Sequence, residues 1–143
     1  LKDTNTPAWS VSESGRVLRL PFQLGAMYYR FSLPSHAGLF RDAVSSLLPA
    51  RQIVTDAHPL VEMTLMRQGE RTLLHVINLT GHSQTAWFAP VPFASIRVSV
   101  EGSFRSVRLL RAGRKVAATV RGGRTEFGIP LRDYELVELG VTK

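Results

Sequence analysis

Four histidines are the residues best suited to bind a metal ion or transfer a proton in this chain of 143 residues, which contains no cysteine. They are His36, His58, His75 and His82. Their separations match no zinc-ligand spacing, and His75 and His82 lack a third ligand close by in the sequence. The absence of cysteine also excludes disulfides, thiolate nucleophiles and cysteine-bearing zinc sites. We therefore assign no metal site, and we interpret His75 as a core or hydrogen-bonded histidine.

Catalysis by paired carboxylates is the second chemistry to consider, because two carboxyl groups can together cleave a glycosidic bond. Glu62, Glu126, Glu135 and Glu138 are the candidate glutamates, and each lies in a segment with alternating apolar residues. An outward-facing charge on a strand explains each of them better than a catalytic role. The chain also contains no G-x-S-x-G elbow, phosphate-binding glycine loop or H-E-x-x-H motif. We therefore assign no catalytic residue and no cofactor.

Two pairs of adjacent aromatic residues are the candidates for ligand binding. Trp87 and Phe88 lie in a segment flanked by proline, and Tyr28 and Tyr29 form the second pair. Such side chains can stack on a sugar ring. Equally, they can close the end of a β-sandwich or dock onto a neighbouring domain, which is the more common use of aromatic surface. We name all four as candidate ligand-stacking residues.

A basic block lies between positions 97 and 124 in a chain of formal net charge +7. Such a block can neutralise phosphates and bind nucleic acid. No helix-turn-helix, zinc or aromatic-platform signature accompanies it, so we favour arginines on the solvent faces and turns of strands. The block consists of Arg97, Arg105, Arg108, Arg111, Arg114, Lys115, Arg121 and Arg124, against the single acid Glu101.

The segment from Val61 to Thr80 predicts the hairpin on which the rest of the fold is built. Its first half alternates apolar and polar residues, as a strand with one buried face does. Gly69 can adopt the positive φ that a tight hairpin turn needs. From Arg71 to Thr80 apolar side chains occupy both faces of the strand, which predicts a strand deep within a sheet. Asn78 and Thr80 also form a glycosylation sequon, which we interpret as chance in a buried strand.

Five further strands follow the hairpin, so the pattern from Pro59 onward is all-β. Seven short strands in antiparallel order predict a β-sandwich of immunoglobulin-like or Greek-key type. The further strands are predicted at 94–100, 106–111, 115–120, 124–129 and 134–139. The predicted fold class is therefore mainly β, with a strand–loop–helix segment before the sandwich.

The first third of the chain has a different composition. We expect residues 1–15 to form a flexible polar arm. Residues 16–54 predict a short strand, a loop through the two tyrosines, and a helix with Ser35 as its N-cap and Pro49 after its end. One strand and one helix cannot close a core of their own. We expect this segment to be the remnant of a preceding α/β domain, and residues 55–143 to be the C-terminal sandwich domain.

The chain has the composition of a globular domain, with 44% hydrophobic and 20% charged residues. No apolar run approaches the length of a membrane span, and no signal-peptide pattern opens the sequence. It begins with Leu1 rather than methionine. We expect it to be a piece of a longer protein, whose compartment the sequence does not indicate.

Several segments together resemble the C-terminal region of glycoside hydrolases. Residues 16–25, with the tyrosine pair and the helix near His36, resemble the closing strand and helix of a flavodoxin-like or amidotransferase-like domain. That domain occurs in β-galactosidases with a trimerisation domain and in related glycoside hydrolase-like proteins. The Leu-His-Val-Ile-Asn-Leu segment at 74–79 is similar to the strand that opens their C-terminal sandwich.

The last third of the chain extends this resemblance. Residues 106–110, 129–131 and 134–138 are similar to the final strands of such sandwiches, including those of α-fucosidase-like and amylase-like enzymes. In that family the catalytic carboxylates lie in an N-terminal barrel that nothing here matches. The resemblance therefore implies a non-catalytic accessory module that packs against the other domains of a glycoside hydrolase-like parent or in a homo-oligomer.

Two alternatives remain open from the sequence. The first is a carbohydrate-binding module that uses Trp87, Phe88 or the pair of Tyr28 and Tyr29. The second is nucleic-acid binding through the block from Arg97 to Arg124, which we disfavour. Neither alternative requires a membrane or a cofactor.

Overall fold

The computed structural model describes residues 9–48, 50–83 and 85–140 of the chain. The chain divides into two compact units, Leu1–Ala50 and Arg51–Lys143. The first is a short hairpin followed by two helices, and the second is a β-sandwich. Most of the segment expected to be a flexible arm, residues 1–8, lies outside the described residues. Among the described residues, no helix has the length and hydropathy needed to cross a membrane.

The first unit begins with a two-stranded ribbon. Strands β1 (Ser10–Val11) and β2 (Leu18–Arg19) pair antiparallel. Two helices follow, α1 (Leu24–Phe31) and α2 (Pro34–Leu47). Among the described residues of this unit, Leu24 and Ala43 are the buried hydrophobic side chains.

Two sequence predictions for this unit are wrong. The segment with both tyrosines is helix α1, not a loop: it contains no proline and carries Arg30 in its last turn, where a cation favours a helix. The helix stops at Ser32, which adopts a left-handed conformation at φ 48° and donates its N–H to the carbonyl of Tyr28. Helix α2 has Leu33 as its N-cap rather than Ser35, because Pro34 occupies the first turn, where its missing N–H costs no hydrogen bond.

The second unit consists of two antiparallel sheets and a small ribbon. The five-stranded sheet has the order β10-β9-β13-β5-β4, and the four-stranded sheet has the order β11-β12-β8-β3. Strands β6 and β7 form the separate ribbon. The bounds are β3 Ile53–Thr55, β4 Val61–Gln68, β5 Arg71–Asn78, β6 His82–Ser83, β7 Ala86–Trp87, β8 Phe93–Glu101, β9 Ser106–Leu109, β10 Arg114–Val116, β11 Ala118–Arg121, β12 Arg124–Leu131 and β13 Tyr134–Gly140. The predicted mainly-β class with a β-sandwich is confirmed.

The predicted hairpin is present as β4 and β5, with Gln68 opposite Arg71. Gly69 takes the first of the two loop positions at φ 60°, as in a type II′ turn. Strand β5 lies between β4 and β13, and Leu74 and Val76 on it are fully buried. The prediction of a deep strand is therefore confirmed.

The strand predicted at 115–120 is two strands in two different sheets. Strand β10 pairs with β9 in the five-stranded sheet, whereas β11 pairs with β12 in the four-stranded sheet. Only Ala117 separates them, so the chain crosses between the sheets at one small residue. Local alternation cannot reveal such a crossing, because both halves keep the spacing of a strand.

The core lies between the inner faces of the two sheets. Both sheets contribute β-branched and leucine side chains at alternate positions, which is the pattern of a sandwich with one buried face per sheet. The cluster of buried residues comprises Leu74, Val76, Ile96, Val98, Val100, Phe104, Val107, Leu109, Phe127, Ile129, Leu131, Val137 and Leu139. All of them belong to the second unit, which therefore has a core of its own.

Candidate ligand-binding sites

The aromatic pair of the second unit lies on and beside the β6–β7 ribbon. Trp87 pairs with His82 across the ribbon, and the two ring centroids are 4.5 Å apart. Trp87 is 69% exposed and Phe88 is 67% exposed. One aromatic side chain is thus supported by a neighbouring ring while most of its surface faces solvent, which suits a stacking contact.

A close backbone approach holds this ribbon in place. The N–H of Phe88 donates to the carbonyl of Gly81 at 2.8 Å. A Cβ atom at Gly81 would collide with the carbonyl oxygen of Phe88, so glycine is required there for steric reasons. The position of the aromatic pair therefore depends on a residue six positions away from Trp87.

Asn78 connects the ribbon segment to the end of the sandwich. Its Nδ2 donates to the carbonyls of Val91 at 2.8 Å and Arg132 at 2.7 Å. Its Oδ1 accepts from the hydroxyl of Thr80, and that hydroxyl oxygen accepts the N–H of Val91. Asn78 is 5% exposed and both of its amide hydrogens are used. The geometry agrees with our interpretation of the sequon as chance.

The second predicted aromatic pair lies in the first unit. Tyr28 and Tyr29 are on helix α1, where Tyr28 is 46% exposed and Tyr29 is 91% exposed. Adjacent residues on a helix point in directions about 100° apart, so they do not form one flat platform. Their assignment as ligand-stacking residues stays a prediction, as does that of Trp87 and Phe88.

Glu135 contradicts the expectation that the strand glutamates face solvent. It is 5% exposed and belongs to the inner side of β13 with Val137 and Leu139. Its Oε1 accepts the N–H of Arg111 at 2.9 Å, and its Oε2 accepts the N–H of Ala112 at 3.2 Å. The carboxylate is buried because it satisfies main-chain donors of a turn, a role that the alternation of β13 does not indicate.

The other three strand glutamates are dispersed over the surface. Glu126 lies on the outer face of the four-stranded sheet. Glu62 and Glu138 lie on the outer face of the five-stranded sheet, and Glu138 contacts Arg71 at 3.4 Å. Glu62 is opposite Ile77 whereas Glu138 is opposite Leu73, which lies four residues earlier in β5. At ~3.3 Å per residue they are too far apart to act on one glycosidic bond.

His75 has the hydrogen bond expected of it. Its Nδ1 lies 3.0 Å from the hydroxyl of Tyr134 on the neighbouring strand β13. The residue is half-buried on the outer face of the five-stranded sheet, opposite Leu136. Within residues 9–48, 50–83 and 85–140, no group of three or more His, Asp or Glu side chains is placed to hold a metal ion.

Two ion pairs within the second unit use arginines of the basic block. Asp56 accepts both the N–H and the Nε–H of Arg97, each at 2.7 Å. Asp133 accepts two hydrogen bonds from the guanidinium of Arg111, at 2.7 and 3.1 Å. The side-chain hydrogen bond from Arg97 lowers the pKa of Asp56 below its usual value, and the one from Arg111 does the same to the pKa of Asp133.

The remaining residues of the basic block lie on different faces. Arg124 crosses the four-stranded sheet and donates to the carbonyls of Arg51, Gln52 and Ser99. Arg108, by contrast, lies on the outer face of the five-stranded sheet, opposite Glu138. The arginines near one another in sequence are therefore distributed over both outer faces of the sandwich.

Sequence reasoning missed three residues that organise the exposed parts of this unit. These are Asp56, whose partner is 41 residues away, Asn78, whose partner Arg132 is 54 residues away, and Glu135. Asn78 and Glu135 could have been noticed in the sequence, because each is a polar residue at a strand position where the alternation predicts an apolar one. No local signal marks Asp56.

Comparison with known proteins shows that this chain is similar in structure to parts of two larger enzymes. No protein-family model matches the chain, and no curated protein matches it. Alpha-L-fucosidase isoenzyme 2 from Paenibacillus thiaminolyticus superposes with a TM-score of 0.79 at 16% identity, over 96% of this chain and 22% of that one. A cycloisomaltooligosaccharide glucanotransferase from Paenibacillus sp., complexed with cycloisomaltoheptaose, has a TM-score of 0.54 at 20% identity, over 62% of this chain and 16% of that one.

These similarities establish a shared fold. The chain spans 22% of the length of the fucosidase and 16% of that of the glucanotransferase. A fold related to parts of glycoside hydrolase-type enzymes is thereby shown.

Proposed function

We propose that this chain is a non-catalytic accessory module of a larger glycoside hydrolase-like protein, and that its first unit packs against another part of that protein. The observation that carries the proposal is the apolar surface of the helical unit. Of its described hydrophobic side chains, Leu24 and Ala43 are buried, whereas many large ones are exposed. The exposed ones are Val11, Val17, Phe22, Met27, Tyr28, Tyr29, Phe31, Leu33, Phe40, Val44 and Leu48.

Such a surface indicates a missing partner rather than an independent domain. Monomeric proteins rarely leave large contiguous apolar patches in water, and a partner surface commonly covers such patches. Helices α1 and α2 form only part of a layered arrangement, since each leaves large apolar side chains uncovered. This supports the first unit as the end of a preceding α/β domain whose remaining elements would cover it.

The state of the carboxylates supports a non-catalytic role. Glu135 and the two aspartates Asp56 and Asp133 accept structural hydrogen bonds, and the exposed Glu62 and Glu126 lie on opposite faces of the sandwich. A glycosidase of the common kind needs two carboxyl groups flanking one bond. The similarity in fold to parts of a fucosidase and a glucanotransferase supports a parent of the glycoside hydrolase type.

The catalytic aspect is tested by incubating the purified chain with a panel of aryl glycosides. We expect release of the aryl group at the rate of a buffer control. Hydrolysis well above that rate, lost on replacement of Glu62 or Glu126 by glutamine, would contradict the proposal.

The packing aspect is tested with the dye ANS and light scattering on the isolated chain. We expect dye binding and self-association, both reduced in a Tyr29→Ser/Phe40→Ser variant, because these side chains are 91% and 51% exposed. Trp87→Ser, in the other unit, is the matched control and should change neither signal appreciably. A monomer that binds no dye would argue against an uncovered packing surface.

A second candidate function is carbohydrate binding by the aromatic pair of the β6–β7 ribbon. The supporting observation is the exposed ring of Trp87 with His82 beside it. A glycan array should then give binding that Trp87→Ala abolishes and that Tyr29→Ala on helix α1 does not. If Tyr29→Ala abolished binding instead, the tyrosine pair would be the platform. A blank array across plant and bacterial polysaccharides would reject this candidate.

A further inference from the structure

The outer face of the four-stranded sheet contains an open trough that neither Trp87 nor Phe88 lines. One row of side chains crosses all four strands: Val54 lies opposite Ser99, Ser99 opposite Glu126, and Glu126 opposite Thr119. Three interstrand gaps of ~4.8 Å make this row about 14 Å long. The row combines an aliphatic group, two hydroxyls and one carboxylate.

A second row, two residues along the strands, forms the other half of the trough. Arg97 lies opposite Gly128 there, and Ala117 also lines the trough. Gly128 has no side chain and Ala117 only a methyl group, so the sheet is uncovered between the guanidinium of Arg97 and strand β11. The trough has a volume of about 600 Å³, within the ~300–1,000 Å³ of ordinary ligand sites.

The charges in the trough are one guanidinium and two carboxylates. Arg97 is paired with Asp56 through Nε, which leaves the Nη groups of an 86% exposed side chain available to a ligand. Among the described residues, Glu126 has neither a hydrogen bond nor an ion pair. At the edge of the trough Arg124 donates its Nε–H to the hydroxyl of Ser99 at 2.9 Å, so the two carboxylates are balanced by two guanidinium groups and the trough is close to neutral in a protein whose net charge is +7.

This charge balance selects among ligand classes. A carboxylate accepts hydrogen bonds only, and hydroxyl groups both donate and accept. A phosphate or an acidic polymer would meet the carboxylate of Glu126 unfavourably, and the guanidinium of Arg124 beside it is already bound to the hydroxyl of Ser99 and to main-chain carbonyls. A chain of uncharged hydroxyl-bearing rings can donate to Glu126, accept from Arg97, and exchange hydrogen bonds with Ser99 and Thr119.

We propose that the trough formed by Val54, Arg97, Ser99, Thr119, Glu126 and Gly128 binds a neutral, polyhydroxylated chain, that is, an uncharged oligosaccharide. Glu126 is the central acceptor for its hydroxyl groups, and Arg97 is the donor at one end. The uncovered sheet at Gly128 and Ala117 allows a ring to lie against the backbone. Binding here requires neither the packing role of the helical unit nor stacking on Trp87.

The test is an NMR titration of the whole ¹⁵N-labelled chain. The probes are neutral glucose hexasaccharides with α-1,4, α-1,6 and β-1,4 linkages, a galacturonic acid hexasaccharide as the anionic counterpart, and tri-lysine as the cationic one. We expect saturable shifts of the amide signals of Ser99, Thr119, Glu126 and Gly128 with at least one neutral probe. Glu126→Ala should weaken that binding by about tenfold or more, because it removes a charged acceptor.

Glu62→Ala is the matched control, since Glu62 is also an exposed strand glutamate but lies on the other sheet. It should leave the affinity unchanged. The proposal is overturned if no neutral probe causes saturable shifts at millimolar concentration, if binding survives Glu126→Ala, if tri-lysine or the anionic probe binds instead, or if the shifts are confined to Trp87 and Phe88. None of these outcomes bears on the accessory role, which turnover of aryl glycosides would contradict.

Discussion

The side chain of Asn78 donates a hydrogen bond of 2.7 Å to the main-chain carbonyl of Arg132, 54 residues further along the chain. The bond joins the end of strand β5 to the turn between β12 and β13. Because Asn78 also binds Val91, the same amide positions the segment that follows the β6–β7 ribbon. The aromatic pair on that ribbon is therefore placed by a buried polar residue within the sandwich.

Replacing Asn78 by alanine should destabilise the second unit by roughly 2–3 kcal/mol. The change leaves the carbonyls of Val91 and Arg132 without their partner, and unsatisfied buried groups cost more than the average hydrogen bond contributes. Urea unfolding followed by circular dichroism measures the loss. Gln68→Ala, an exposed amide at the end of β4, is the control and should change the free energy of unfolding by less than about 0.5 kcal/mol. Equal effects for both variants would refute the role assigned to Asn78.

Replacing Glu135 by glutamine should lower the free energy of unfolding by about 1–3 kcal/mol. The carboxylate accepts main-chain hydrogens of Arg111, Ala112 and Leu136, and an amide has one oxygen to offer instead of two. Chemical unfolding of Glu135→Gln and of Glu62→Gln, an exposed glutamate, gives the comparison. An unchanged stability in Glu135→Gln would mean that these hydrogen bonds contribute nothing measurable.

The stability of the second unit should fall in acid partly through Asp56 and Asp133. Hydrogen bonds from Arg97 and Arg111 hold the pKa of each carboxyl below its ordinary value of 3.8. A carboxyl with a lowered pKa in the folded state stabilises that state above its unfolded pKa. This contribution is complete above about pH 5 and is lost as the pH falls through about 4 toward the folded pKa.

The measurement is the urea concentration at the unfolding midpoint, from pH 6 down to the lowest pH at which the protein is still folded. It is made on the unaltered chain and on an Asp56→Asn/Asp133→Asn variant. We expect the variant to lose less stability on acidification and to resemble the unaltered chain most closely at the lowest pH. Glu126→Gln, which removes a carboxylate with no partner among the described residues, should leave the acid dependence close to that of the unaltered chain. Parallel curves for all three proteins would rule out this linkage.

The fragment Arg51–Lys143 should fold without the first fifty residues. The buried cluster of the sandwich is drawn wholly from this unit, which therefore has what a small domain needs for cooperative unfolding. Thermal unfolding of the fragment should be a single transition. The fragment Leu1–Ala50 should show little helix by circular dichroism, since it buries few side chains. An unfolded Arg51–Lys143 fragment would show that the sandwich depends on the helical unit.

Much of the sandwich follows from local pattern. The alternation in β4, the two-sided apolar strand β5 and the turn at Gly69 are visible in the sequence, because burial of one or both faces of a strand dictates residue type at a period of two. Helix α1 was missed because its N-cap, Gln23, is not one of the usual capping residues and makes no side-chain capping hydrogen bond, and because the first turn contains no acidic residue. The single strand predicted at 115–120 was wrong because the sheet to which each half belongs is not a local property.

The sequence by itself determined most of the long strands of the second unit, though not the short strands β3, β6 and β7, and it determined which side of most of them is buried. Only the tertiary structure decided that Asp56 binds Arg97, that Asn78 binds Arg132, and that Val54, Ser99, Glu126 and Thr119 form one row. The physical reason is distance along the chain. The alternation of apolar and polar residues is a property of neighbouring positions, whereas these contacts depend on strand order and register. The candidate trough exists only because four strands from separate parts of the chain lie side by side.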